Sequence, residues 1–373
     1  MSKRSCAAPS SETRFVGYRA AIRGALVLTA LVLTALVLAA TGRADSPVRR
    51  SFHGVVVQSP LDSEDISRMR HGRVGTVRLL IPWNIVERTE GRYDFSKLDR
   101  EFAAIASAGA RPQPFVFGSP RWLRAEPSIP PPLTTPGAGG WRAFLIAVTA
   151  RYGRDGTFWR GRGETAAVKR WQIWNEANLD GLWAPQADPH AYGRLLRISE
   201  RAIHAVDRRA EIVLSGLAPT GAGIYPGEFL RQLYRSPRVV RAFDSVALHP
   251  YGTTVGDVRR QVQGLRKVMR RGGTPKRPLL VTEIGWGSDG PRGRSLAGSD
   301  KMQARLLTRT YSLLARNRFR WRIPSVAWFA WRDTNGAAIC HFCFSSGLFE
   351  NGGRAKPAWK AWKRSAREWR AKP

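Results

Sequence analysis

The chain has 373 residues, with 61 Lys and Arg against 28 Asp and Glu, so that its formal charge is +33. That length is enough for one large core rather than two small ones, since a (β/α)8 barrel takes about 250 residues or more as a single domain. No RNP, zinc-finger or P-loop signature accompanies the positive charge, which sets nucleic-acid binding aside. The surplus reads either as solvated helix faces or as attraction to an anionic polymer or a cell-wall surface.

The N-terminal segment has the composition of an export signal. Lys3, Arg4, Arg14, Arg19 and Arg23 precede an apolar run from Ala25 to Ala40, and Gly42-Arg43-Ala44 offers a small-x-small cleavage site. The run is about 16 residues long, above the usual h-region and below the ~20 of a spanning helix, so a retained anchor stays open beside cleavage after Ala44. Removing residues 1–44 takes away six Lys/Arg and one Glu and leaves +28. Either way the remaining chain, 45–373, is expected to work outside the cytoplasm, secreted or at the cell surface.

From residue 53 onward, short apolar or β-branched runs alternate with stretches of helical period, the pattern of βα units around a parallel sheet. Eight strands are expected: His53–Gln58, Gly75–Pro82, Arg111–Phe117, Val168–Trp174, Glu211–Gly216, Asp244–His249, Leu279–Thr282 and Pro324–Trp331. Helices are expected over Leu98–Gly109, Trp141–Tyr152, Pro189–Arg208, Gly227–Arg235, Val255–Arg271 and Ser299–Arg316. A last one over Pro357–Trp369 places Trp359, Trp362, Ala366 and Trp369 on one face, against the barrel wall. The fold class is α/β, a (β/α)8 TIM barrel forming one domain. The Pro/Gly-rich stretch 127–140 follows the third strand and reads as a long loop on the rim. Cys340 and Cys343 are spaced for a local disulfide in an oxidising compartment, since two cysteines and a nearby histidine do not complete a zinc site.

Two segments carry chemistry. In Trp171–Asn178 (WQIWNEAN) and Leu280–Trp286 (LVTEIGW), an apolar strand stops at a glutamate, Glu176 or Glu283. In a (β/α)8 barrel the C-terminal ends of the strands share one rim, so both carboxylates would face one substrate. Glycoside hydrolysis needs such a pair, one to protonate the leaving oxygen and one to attack the anomeric carbon or activate water. Taken singly, each glutamate is more often a helix cap or a loop ion-pair partner.

Through Trp174-Asn175-Glu176-Ala177 and Thr282-Glu283-Ile284-Gly285-Trp286 the chain resembles the (β/α)8-barrel retaining glycoside hydrolases of clan A, including families 5 and 39. The resemblance covers most of residues 53–365 in element order, on short motifs. It implies that Glu176 is the acid/base and Glu283 the nucleophile, and that Asn175 binds the sugar 2-hydroxyl. Arg78 is similar to an arginine that supports the nucleophile electrostatically, and His249 and Tyr251 to groups that orient nucleophile and sugar. Trp331 is expected as the platform under the sugar ring in preference to Trp328, with Trp83, Trp122, Trp183 and Trp286 as further stacking candidates. Opposite protonation states are required of the two carboxyls, with Glu176 raised by its neighbouring carboxylate. No metal or organic cofactor is implied. The expected partner is a poly- or oligosaccharide, with an anionic polymer in an open groove as one version. A transglycosidase on the same fold and a non-catalytic polysaccharide-binding protein with a Trp-rich surface are the competing readings.

Overall fold

A computed structural model describes residues 47–134, 138–163, 166–219, 222–289, 296–334, 340 and 342–369. The export segment read at 1–44 lies outside the described residues. A compact unit begins at Pro47, and among the described residues no helix is long and apolar enough to cross a membrane.

Eight parallel strands close into a barrel in chain order. They are β1 His53–Val56, β2 Thr76–Pro82, β3 Arg111–Phe117, β4 Arg170–Ile173, β5 Glu211–Leu217, β6 Ser245–Leu248, β7 Leu279–Ile284 and β8 Val326–Trp328, and β8 pairs back onto β1. The flanking helices are α1 Ser63–His71, α2 Trp83–Val86, α3 Ser96–Ser107, α4 Gly139–Tyr152, α5 Pro189–His204, α6 Pro226–Tyr234, α7 Pro237–Val240, α8 Val255–Arg271, α9 Asp300–Asn317 and α10 Pro357–Glu368. Every strand and helix expected from the sequence is present, with ends that differ by a few residues. β8 differs most: it is three residues long and stops at Trp328.

Sequence pattern did not reveal α1, whose run SEDISRMRH buries only Asp65 and Met69 and so lacks an apolar stripe. Its start signal is nonetheless strong, because Asp62 and Asp65 form a reciprocal capping box. The same device opens α8 through Thr254 and Asp257.

Alternation along the strands sorts the side chains. In β2, Val77, Leu79 and Ile81 join the main apolar core between sheet and helices, while Arg78 and Leu80 line the cavity at the barrel mouth. Two strands break this rule. In β7, Leu279, Val281 and Ile284 belong to that core, and the pairing with β8 shifts between Val281 and Ile284. The extra residue at this bulge re-aims the chain so that Glu283 faces the cavity. β5 repeats the device: Ile212, Leu214 and Leu217 face the helices, the register shifts between Val213 and Gly216, and Gly216 turns inward.

Candidate active site

An open cavity of about 950 Å³ occupies the C-terminal ends of the strands, and Arg78, Asn175, Glu176, Tyr251 and Glu283 all line it. Thus β2, β4, β6 and β7 deliver five of the seven residues singled out in the sequence to one place. A sixth, His249, is fully buried directly behind them.

Glu283 is held from two sides. Arg78 donates from Nη1 to Oε1 at 2.7 Å, and the Tyr251 hydroxyl donates to Oε2 at 2.8 Å. Arg78 also donates from Nη2 to Asn175 Oδ1 at 2.8 Å, and its guanidinium lies 3.9 Å from the centroid of the Phe115 ring. The arginine is 1% exposed, a burial that a cation tolerates only with such partners. Burial and the adjacent Glu283 push the Tyr251 phenol well above its ordinary range, so it remains a donor at any working pH.

Glu176 sits differently. Its Oε1 lies 2.6 Å from His249 Nδ1, and the same Nδ1 is 3.7 Å from Glu283 Oε2. Burial pushes the Glu176 carboxyl up to about 7, with Arg78 offsetting part of the effect. The neighbouring carboxylate, expected to be the cause, is not; removal from water is. Burial also lowers His249 to about 3, so the imidazole is neutral. Its Nε2 has no hydrogen-bond partner among the described residues and faces Gly216, which assigns the single proton to Nδ1. Nδ1–H therefore donates to Oε1 and leaves Oε2 free to serve a substrate.

The peptide carrying Glu176 is strained where it matters. Trp174 and Glu176 have φ of 66° and 44°, in the left-handed region that side chains other than glycine rarely adopt. Surrounding bonds fix this shape. The Tyr192 hydroxyl donates to Ile173 O at 2.9 Å and accepts from Ser215 N at 2.6 Å, and Ser215 Oγ accepts from Ala177 N at 2.9 Å. Asn178 is tied to Ala218 and Ile224. None of these scaffolding residues carried a signal in the sequence, because each acts through backbone atoms of distant segments.

Trp331 is a correction. Its indole is buried, donates to Asp65 Oδ1 at 2.7 Å and packs on Phe349 and Trp359; it does not line the cavity. Because β8 ends at Trp328, strand alternation does not extend to residue 331. Phe329 lines the cavity instead, with its ring centroid 6.4 Å from that of Tyr251. The other candidate platforms also turn away from sugar. Trp83, Trp183, Trp286 and Trp328 are buried, and Trp286 and Trp328 donate to Gly252 O and Ser346 O. Of 14 tryptophans, 13 are buried, and the remaining one, Trp122, is half-buried with its N–H on Glu87 O. A surface that binds polysaccharide through exposed indoles is therefore not what this chain presents.

Comparison with solved structures adds the fold's relatives. A family 39 glycoside hydrolase from the gut symbiont Bacteroides cellulosilyticus WH2 superposes with a TM-score of 0.65 at 21% identity, over 87% of this chain and 64% of that one. A monomeric β-xylosidase from Caulobacter crescentus CB15 gives 0.63 at 21%, over 85% and 68%. A GH5_18 protein from Streptomyces cattleya, solved with Manβ1-4GlcNAc, gives 0.63 at 15%, over 87% and 82%. The fold is shared. The chain spans less than two thirds of the length of the family 39 enzyme. No family model and no curated protein matches the sequence.

Two further features complete the site. Glu176, His249 and Glu283 offer one ligand atom each within 4.8 Å of one another, but Arg78 already stands 2.7 Å from Glu283, and a guanidinium there repels a second cation. Cys340 and Cys343 are disulfide-bonded and, with Phe342, line the cavity, so the short bridge shapes the rim. Gln303 braces this side, donating to Trp286 O and Ser345 O and thereby joining the loops after β7 and β8.

Proposed function

We propose that the chain hydrolyses O-glycosidic bonds of a poly- or oligosaccharide with retention of configuration. Glu283 attacks the anomeric carbon and forms a glycosyl ester while Glu176 protonates the departing oxygen. Glu176 then takes a proton from the water that releases the sugar. One observation carries this reading: carboxylate oxygens of Glu176 and Glu283 lie within 4.8 Å of each other. A closest approach of that order supports the ~5–5.5 Å separation of retaining pairs over the ~6.5–9.5 Å of inverting ones.

The partners of each carboxyl support the division of labour. Glu283 faces a guanidinium and a phenol, the setting of a carboxylate, whereas Glu176 is kept near neutrality by burial and so carries a proton close to pH 7. Asn175, fixed by Arg78, is placed to bond a sugar hydroxyl beside Glu176. Arg88, Lys97 and Arg100 also line the cavity, against Asp94 and Glu101, and this surplus of cations supports acidic sugar units. The reading places the enzyme outside the cytoplasm, in keeping with the export signal.

The deciding experiment screens bacterial and plant polysaccharides and follows the first anomer released by NMR. The retained anomer is expected. An inverted product removes the nucleophile role from Glu283, full activity in both Glu176→Gln and Glu283→Gln removes both glutamates from the chemistry, and no activity of the parent on any glycan removes the enzymatic reading.

A further inference from the structure

The cationic surplus of the sequence is not spread evenly over the barrel. Because the eight strands are parallel, the segments that lead into them share one face, the floor, opposite the cavity. Seven of those eight segments contain Arg or Lys, the eighth (108–110) runs directly into Arg111 at the start of β3, and only three contain an acid. By contrast, the segments that leave β4, β5 and β6 (174–188, 218–225 and 249–254) contain no Arg or Lys. Charge therefore divides along the barrel axis.

Local causes account for only part of this. Helices run back toward the floor, so cations in their last turns, such as Arg70, Arg270 and Arg271, complement the helix dipoles. Arg154, Arg170 and Arg209 have acidic partners on the floor itself. Arg73, Arg111, Lys169, Arg208, Lys276 and Arg322 have neither explanation: all six are exposed, and each stands at, or within four residues before, the first residue of a strand, beyond the helices. Arg73 and Arg322 even hold left-handed positions, φ 56° and 50°, where the backbone favours glycine.

The polypeptide also joins the barrel here. Pro47 leads into β1 from the floor side, so the described chain enters the barrel from this face. We propose that the floor docks on an anionic lipid bilayer, which leaves the cavity facing away from the membrane. A ring of point charges around the barrel axis fits a flat sheet of phosphates, and anionic lipid attracts each nearby cation with about a fivefold gain in partitioning. Nucleic acid would draw on a platform of exposed aromatic rings among the cations, whereas the described floor segments expose only the Phe319 ring, with Trp159 and Trp321 buried.

The test uses the full chain and lipid titration, comparing partition coefficients for phosphatidylglycerol and phosphatidylcholine vesicles. The floor variant carries Arg111→Glu, Lys169→Glu, Arg208→Glu and Lys276→Glu; the control carries Arg92→Glu, Arg121→Glu, Arg194→Glu and Lys301→Glu on other faces. The N-terminal segment is common to all three chains and cancels. The parent is expected to prefer phosphatidylglycerol in a salt-sensitive manner, and the floor variant to lose that preference by about 600-fold or more, fivefold for each of four cations, with unchanged turnover of a soluble glycan. The control is expected to keep most of it. Four Gln substitutions at the same floor positions give an intermediate loss and serve if the Glu variant does not fold. Equal loss in the control makes net charge the cause and overturns the proposal. So does a parent without lipid preference, or one that prefers a soluble polyuronate or DNA to the vesicles.

Discussion

Replacing Gly216 by Ala tests how Glu176 is placed without touching either carboxylate. A Cβ at position 216 would stand 2.1 Å from His249 Nε2 and 2.7 Å from its Cδ2 and Cε1. The imidazole must then retreat by about 1.3 Å, from 2.1 to 3.4 Å, to reach ordinary contact, and its Nδ1 is only 2.6 Å from Glu176 Oε1, so the acid moves with it. A misplacement of about 1 Å lowers the rate on the order of 100-fold where the displaced group acts in the transition state. Overpacking of the interior costs about 1–3 kcal/mol of stability, which thermal denaturation reports separately. The assay compares a glycoside with a poor leaving group, which needs the proton, with an activated dinitrophenyl glycoside, which does not. The variant should lose on the order of 100-fold on the first and under about tenfold on the second. Equal losses on both, in a protein that melts near the parent temperature, would refute the reasoning, as would no loss at all.

Three other outcomes follow from the same geometry. With the Glu176 carboxyl raised to about 7, its protonated form is present below that pH, so kcat/KM on poor leaving groups should fall as pH rises through about 7. A profile flat to pH 9 counts against Glu176 as the acid. The same shift bears on folding: the native state binds this proton more tightly than the unfolded chain, so the contribution is full below about 4.5 and lost by about 7. Glu176→Gln should therefore gain melting temperature over the parent at pH 8 and little at pH 4. Tyr251→Phe removes one bond to a charged acceptor, worth about 1.5–3 kcal/mol of stability, and should lower both the melting temperature and, roughly tenfold to 100-fold, kcat; an unaltered kcat shows that Tyr251 does not steady Glu283. Trp331→Phe strips the N–H from Asp65 and should lower stability by about 1–3 kcal/mol while KM for short glycans holds. A KM rise without loss of stability would return Trp331 to the sugar site.

How far the sequence carried depends on which physical rule governed each feature. Alternating apolar runs and helical stripes are local consequences of the 2.0 and 3.6 periods, so the eight strands, and the placement of Glu176 and Glu283 at the ends of two of them, were legible before any coordinates. Arg78 was legible for the same reason, as a charge interrupting a buried strand. Side-chain direction beyond a strand's last residue follows no period, so the sequence points to Trp331 as the platform whereas Phe329 faces the cavity. The bulges that turn Gly216 and Glu283 inward depend on pairing with neighbouring strands, which one strand's sequence does not record. The state of Glu176 was expected from a neighbouring charge, but only the closed barrel sets how much water reaches it, and that exclusion dominates. Composition alone determined that the chain is strongly cationic; the parallel closure of the strands decided that this charge gathers on the face opposite the carboxylates.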